Sequence, residues 1–176
     1  MKNIYLIGGT MGVGKTTTCQ VLKKKLPNCA FLDGDWCWDM DPFQVTEETK
    51  GMVMENIAFL LNRFLRCSAY ENVIFCWVLH RQEIVDELLG KLDVENGAVS
   101  VRRFSLICGE AELERRLRRD IDSGLRQGDV IERSLSRLPF YDKVDAAKID
   151  VTDLSPEQTA ALICGAAVEE YARVVI

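Results

Sequence analysis

The chain has 176 residues, 48% hydrophobic and 28% charged, with a formal net charge of −5 from 22 basic and 27 acidic side chains. That is the composition of one compact globular domain, expected to take in residues 1–176. Its acidic balance argues against broad binding to nucleic acid or to an anionic membrane. Seven cysteines with no C-x-x-C pair, and a single histidine, argue for reduced thiols rather than a disulfide framework or a zinc site. No apolar run is long enough to span a bilayer, and the first residues run straight into a strand. No signal peptide is therefore expected, and a cytoplasmic location is.

In chain order, Ile4 to Ile7 form a short apolar run ending in glycines, as a buried parallel strand does. Val21, Leu22 and Leu26 mark one face of a helix that Pro27-Asn28 stops. Cys29 to Leu32 make a second short strand, which ends in Asp33-Gly34-Asp35. Thr46 is a good N-cap for a helix carrying Val53, Ile57, Leu60, Leu61, Phe64 and Leu65 on its core face, with Glu47 and Glu48 in the first turn. The most continuous apolar run, Val73 to Leu79, reads as a central strand, and Ile84, Val85, Leu88, Leu89 and Leu92 trace the next helix. Val99 to Cys108 supplies a fourth strand and Glu110 to Ile121 a strongly charged helix. The polar, glycine-punctuated stretch from Asp122 to Asp129 leads into a helix ending near Pro139. Ala147 to Val151 is a fifth strand, and Pro156 opens the last helix at its first position. Strands alternating with helices imply an α/β fold with a parallel sheet covered on both faces.

Between the first strand and the first helix lies Gly9-Thr10-Met11-Gly12-Val13-Gly14-Lys15-Thr16, a complete G-x-x-x-x-G-K-[ST] phosphate-binding loop. Its glycines let backbone N–H groups turn inward around a β-phosphate, and the helix that follows adds its positive dipole end. Lys15 neutralises the β- and γ-phosphates, and the Thr16 hydroxyl completes a Mg²⁺ coordination sphere. The expected nucleotide contacts are Gly9, Thr10, Met11, Gly12, Val13, Gly14, Lys15, Thr16 and the following Thr17, with ATP and Mg²⁺ as the cofactors. Asp33 and Asp35 leave the second strand at the same edge of the sheet, where ligands of open α/β sheets bind. An Asp-x-Asp pair can set one carboxylate near a metal and the other on an acceptor hydroxyl. Asp-Gly is also a common turn sequence.

The order strand, phosphate loop, helix, Leu32-Asp33-Gly34-Asp35, long helix and later arginine-rich helix resembles the small P-loop kinases. That group includes gluconate, shikimate and adenylylsulfate kinases, chloramphenicol phosphotransferase and tunicamycin-resistance proteins. The resemblance covers nearly the whole chain. It implies a single three-layer domain with a five-stranded parallel sheet in the order 2-3-1-4-5, helices on both faces and a lid at residues 120–130. It also implies transfer of the γ-phosphate of ATP·Mg²⁺ to a hydroxyl of a small molecule. By position, Asp35 is implied at the acceptor hydroxyl and Asp33, with Thr16, near the metal. Arg116 and Arg119, an i, i+3 pair, are implied against adenine and phosphate, with Arg126 in the lid. Arg133 and Arg137, one turn apart, are implied near the same phosphates. The alternative for any one of these arginines is a solvated charged face shared with Glu110, Glu112 and Glu114. Two departures stand out. The third strand ends Trp77-Val78-Leu79-His80 with no Walker B aspartate, leaving metal support to Asp33 or water. Trp36-Cys37-Trp38-Asp39 stands where adenylylsulfate kinases usually carry an arginine.

From Asp33 to Glu48 the chain carries Asp33, Asp35, Asp39, Asp41, Glu47 and Glu48 and no lysine or arginine. An anionic acceptor would be repelled there unless Arg63, Arg66 or Arg81 reached in. Trp36 and Trp38 offer flat surface for a ring or a cation, or serve as packing. His80, at the carboxyl end of the third strand, is an acceptor contact or a structural hydrogen-bonder. The expected acceptor contacts are thus Asp35, Trp36, Trp38, His80, Arg81 and Arg133, and the expected partner is a small molecule, with neither nucleic acid nor membrane. The rival readings are a nucleotide-dependent switch acting on a protein partner, and a polynucleotide 5′-kinase, which the acidic balance disfavours.

Overall fold

The computed structural model describes residues 1–94, 97–126 and 129–174. Five strands, β1 (Lys2–Gly8), β2 (Cys29–Asp33), β3 (Asn72–Cys76), β4 (Val99–Ile107) and β5 (Ala147–Asp150), form a sheet in the order β2-β3-β1-β4-β5. Every neighbouring pair is parallel. Between the strands run α1 (Lys15–Lys25), α2 (Glu47–Arg66), α3 (Gln82–Gly90), α4 (Glu110–Asp122) and α5 (Val130–Leu135), followed after β5 by α6 (Pro156–Val174). Two 3-10 turns, Gly34–Trp38 and Leu138–Lys143, complete the elements among the described residues. The expected three-layer domain and strand order are those observed.

Side chains alternate along a strand, so a central strand in this fold must be apolar on both faces. Tyr5, Ile7, Ile74 and Cys76 pack on one face against Leu22 of α1, Leu113 and Leu117 of α4 and Ile163 of α6. Ile4, Leu6, Val73 and Phe75 face the other way, onto Val53, Ile57 and Leu61 of α2 and Val85 and Leu88 of α3. In the register Ile7 stands opposite Cys76, and Cys76 opposite Asp33. The carboxyl ends of β1, β2 and β3 are therefore level, and their loops open on one edge. α2 begins as expected at Thr46, whose side chain and that of Thr49 cap each other's backbone in a reciprocal box.

Two boundaries differ from expectation. β3 stops at Cys76 instead of running on to Leu79, because Leu79 takes φ 42, a left-handed conformation that ends an extended run. Residues beyond Cys76 bend over the start of the phosphate loop, where Val78 accepts a hydrogen bond from the Gly9 N–H at 3.2 Å. The helix expected to reach Pro139 ends at Leu135, and a separate 3-10 turn follows. Pro139 has no N–H to give to the carbonyl four residues back, and its ring crowds that carbonyl. In the expected lid, Gly124 turns the chain after α4 at φ 76, and positions 127 and 128 lie outside the described residues. No helix among the described residues is long and apolar enough to cross a membrane, and all seven cysteines are free thiols.

Tyr141 ties the second 3-10 turn to this edge. It is fully buried, and its hydroxyl donates to the Val78 carbonyl at 2.7 Å, the same carbonyl that Gly9 uses. Tyr141→Phe removes one of two donors without orphaning the acceptor. Its unfolding free energy in urea should fall by about 1 kcal/mol, the net worth of one such bond; an unchanged midpoint and slope would show that the bond contributes nothing.

Candidate phosphate-transfer site

The phosphate loop closes on itself before α1 begins. Gly14, at φ 101 and ψ 18, holds a left-handed conformation that side chains resist, and this turn frees the first amides of α1 for an anion. Gly12, at φ 81, packs so tightly on α4 that a Cβ there would meet Leu117 Cδ2 at 2.5 Å. α4 thus supports the loop from behind. Thr10 is fully buried and its hydroxyl donates to the Ser134 carbonyl of α5 at 3.1 Å, so its side chain anchors the loop and its backbone faces the ligand space. Val13 is buried and Met11 half-buried in the core, and Thr17 lies at the wall of a cleft on the far side of the loop.

Lys15 lies back over the loop, with Nζ donating to the Thr10 carbonyl at 3.1 Å. Burial lowers its ammonium pKa, offset by Cys76, Asp35 and Asp33, while the Arg126 charge lowers it further. Thr16 Oγ1 donates to Asp33 Oδ2 at 2.6 Å. Asp33 is 4% exposed, and its Oδ1 accepts from the Asp35 N–H at 3.1 Å. Asp35 follows on the exposed side of the turn. Its carboxyl pKa is raised by desolvation and by the Asp33 charge, and Lys15, Arg126 and a hydrogen bond from the Trp77 side chain act in the opposite sense. A lysine, a hydroxyl and two carboxylates thus converge within one short reach of backbone.

Behind the loop a cleft of about 310 Å³ extends from Gly12, Val13 and Thr17 to Val151, Leu154 and Thr159 beyond β5. Arg116 spans its floor. It pairs with Glu112 at 2.7 Å and donates to the carbonyls of Val13 at 3.3 Å, Val151 at 2.9 Å and Thr152 at 3.1 Å. These bonds make it a strut between α4, the loop and the β5–α6 connection. Glu112, held by Arg115 and Arg116, has its pKa pulled down to about 2 and stays ionised. Arg119 also lines the cleft, with no ion pair among the described residues. The sequence places Glu112 on a solvated charged face and does not mark its hold on Arg116 or the β5–α6 wall. The position of β5 beside β4, and the Glu112-Arg116 spacing of four, were the signals available.

The remaining expected contacts are dispersed. Arg126 bonds Asp120 at 3.1 Å, close enough to the loop for its charge to act on both Lys15 and Asp35. Arg133 pairs with Asp129 at the surface at 3.2 Å. His80 meets the Phe140 ring edge-on at 5.9 Å, with a buried Nδ1 that has no hydrogen-bond partner among the described residues. Burial, Arg137 and Arg81 lower its pKa to about 4, so it is neutral at pH 7. Arg81 lies over the other side of that contact, 5.3 Å from the Phe140 ring centre. Trp36 is 56% exposed with its edge toward Phe31, and Trp38 packs between Trp77 and Phe43.

A strand, a complete phosphate loop and a helix, on a 2-3-1-4-5 sheet with an Asp-Gly-Asp turn beside it, define a P-loop nucleotide-binding protein of the kinase fold. The model of the AAA domain family AAA_18 matches residues 6–134, and the chain belongs to that family. Solved structures of the same fold include the tunicamycin resistance protein of Deinococcus radiodurans, 21% identical over 95% of this chain and 96% of that one, with a TM-score of 0.68. A gluconokinase from Sinorhizobium meliloti is 15% identical over 97% of each chain, with a TM-score of 0.64. The shikimate kinase of Acinetobacter baumannii, solved with shikimate, is 22% identical over 97% of this chain and 94% of that one, with a TM-score of 0.62. At these identities the likeness is one of fold. No curated protein matches the chain in sequence.

Lys15 supplies the one ammonium within the loop, so Lys15→Ala should weaken ATP binding about 10- to 100-fold, the loss of one or two charge-assisted hydrogen bonds. Calorimetric titration measures this directly, and wild-type affinity in the variant would remove Lys15 from the phosphate site.

Proposed function

We propose that the chain is an ATP-dependent phosphotransferase that moves the γ-phosphate to a hydroxyl of a small molecule. The carrying observation is the Thr16–Asp33–Asp35 arrangement, in which one buried carboxylate holds both a phosphate-loop hydroxyl and the backbone of a second, accessible carboxylate. A protein that only binds nucleotide has no use for that second carboxylate.

The donor set suits Mg²⁺. A threonine hydroxyl and a carboxylate are hard oxygen ligands, and Mg²⁺ is typically held by one or two protein oxygens plus substrate phosphates and water. The Thr16 hydroxyl donates its hydrogen bond to Asp33, which leaves its oxygen lone pairs free for a cation. β3 carries Cys76, not a carboxylate, at the register position opposite Asp33, so Asp33 on the neighbouring strand supplies the charge that a Walker B aspartate otherwise gives. Bound there, the metal would neutralise charge on the β- and γ-phosphates. The chain's own groups do the rest. Loop amides and Lys15 position the phosphates, and Arg119 and Arg126 add positive charge from the α4 side. Asp35 accepts the proton of the attacking hydroxyl, and its raised pKa makes it a better base than an ordinary carboxylate.

Asp35→Asn keeps shape and loses basicity. It should leave ATP affinity nearly unchanged and slow transfer by about 10²–10⁴, the usual share of a positioned base. Asp33→Asn should also raise the Mg²⁺ concentration needed for half-maximal rate. Because Asp35 works as the anion and its pKa is raised, the acid limb of kcat/KM should fall at a higher pH than the ordinary aspartate value of about 3.9, with a plateau above it. Wild-type transfer by Asp35→Asn would return the pair to a turn beside a nucleotide switch.

A further inference from the structure

The side of the site away from the nucleotide cleft is aromatic. Gly34 packs directly on Trp77, where a Cβ would sit 2.6 Å from Trp77 Cγ, and the Trp77 side chain lies near enough to Asp35 to counter the rise in its pKa. Trp38 stands next, 6.3 Å from Trp77 between ring centres, and Phe43 lies 5.8 Å beyond it. The rings are tilted by 34° and 40° instead of stacked flat, and Trp38 and Trp77 also pack in part against the core. The Trp38 N–H reaches the Gln44 carbonyl at 3.4 Å, and Phe43 is 62% exposed. The row thus starts at the proposed base and ends in solvent.

Carboxylates outnumber cations along this row, although Lys15 and Arg126 act on Asp35 at its start and Lys50 pairs with Glu47 at 2.8 Å. Residues 33–48 include six carboxylates and no lysine or arginine. The arginines that sequence alone allowed to neutralise them are engaged or distant along the chain. Arg66 pairs with Asp93, Arg81 lies over Phe140, and Arg63 sits in the last turn of α2. Phe43 is exposed and Trp38 and Trp77 are half-buried, and the π surface left accessible among these carboxylates attracts a cation, repels an anion and gives a neutral molecule only apolar contact.

We propose that Trp77, Trp38 and Phe43 form a cation-selective acceptor subsite, and that the acceptor is a hydroxyl-bearing amine or ammonium compound. Its nitrogen lies on the Trp38 and Phe43 faces and its hydroxyl reaches Asp35. The proposal rests on the kinase reading of the site and adds the charge of the substrate.

Choline and its uncharged isostere 3,3-dimethylbutan-1-ol differ in a single atom, a positive nitrogen against a carbon. Each is titrated into the full chain with Mg²⁺ and a non-hydrolysable ATP analogue, following tryptophan fluorescence. Choline should bind about tenfold more tightly, the effect of one or two kcal/mol of cation–π attraction. Trp38→Phe keeps a ring in place and should narrow the gap, and Asp39→Asn with Asp41→Asn, both exposed, should narrow it without unfolding the chain. Equal affinities for the pair, or tighter binding of the isostere, overturn the proposal and leave the kinase reading intact. A parallel transfer assay uses γ-labelled ATP with amino alcohols, amino sugars, neutral polyols and sugar acids. Preferential labelling of polyols or acids likewise overturns the proposal while confirming a kinase. Choline selectivity with label released only to water in every case supports the subsite and defeats the kinase reading.

Discussion

The site depends on a buried carboxylate. Asp33 ends β2 almost out of contact with solvent, and an unpaired anion there would cost several kcal/mol. It is tolerated because the Thr16 hydroxyl and the Asp35 N–H both donate to it and the Lys15 ammonium is near. Those partners come from the first turn of α1 and from the turn after β2. Satisfying one charge therefore fixes three pieces of chain relative to one another. The Thr16 hydroxyl and the Asp35 carboxylate, which the proposed reaction sets at the metal and at the acceptor, are placed by the same bonds.

The two halves of the site are built differently. On the side of the phosphate loop Gly12 sits hard against Leu117, and Arg116 locks α4 to the loop and to the β5–α6 connection through Glu112 and three carbonyls. Little there is left to adjust. On the side proposed for the acceptor lie tilted rings and exposed carboxylates, with Gly34 packed on Trp77.

Much of this was legible in the chain itself. The apolar runs of β1 and β3, the phosphate loop and the Asp-Gly-Asp turn are local patterns whose meaning does not depend on distant partners. What stayed hidden depends on such partners. The early end of β3 follows from a left-handed Leu79 and a shared Val78 carbonyl, joined to Gly9 and Tyr141 from far along the sequence. Arg116 looked like any lid arginine until its three carbonyl acceptors came together, and Arg133 looked like a site residue although Asp129 holds it at the surface. Side-chain roles were less legible than the scaffold because they are settled by contacts no spacing encodes.

The most direct test follows the phosphate itself. The chain is incubated with Mg²⁺, ATP labelled at the γ-phosphate and hydroxylated small molecules, and the labelled products are separated and identified. Label covalently attached to an acceptor hydroxyl, appearing at the rate of ADP formation, is the result phosphotransfer requires. Label found only as inorganic phosphate, at a rate that no acceptor changes, would contradict it.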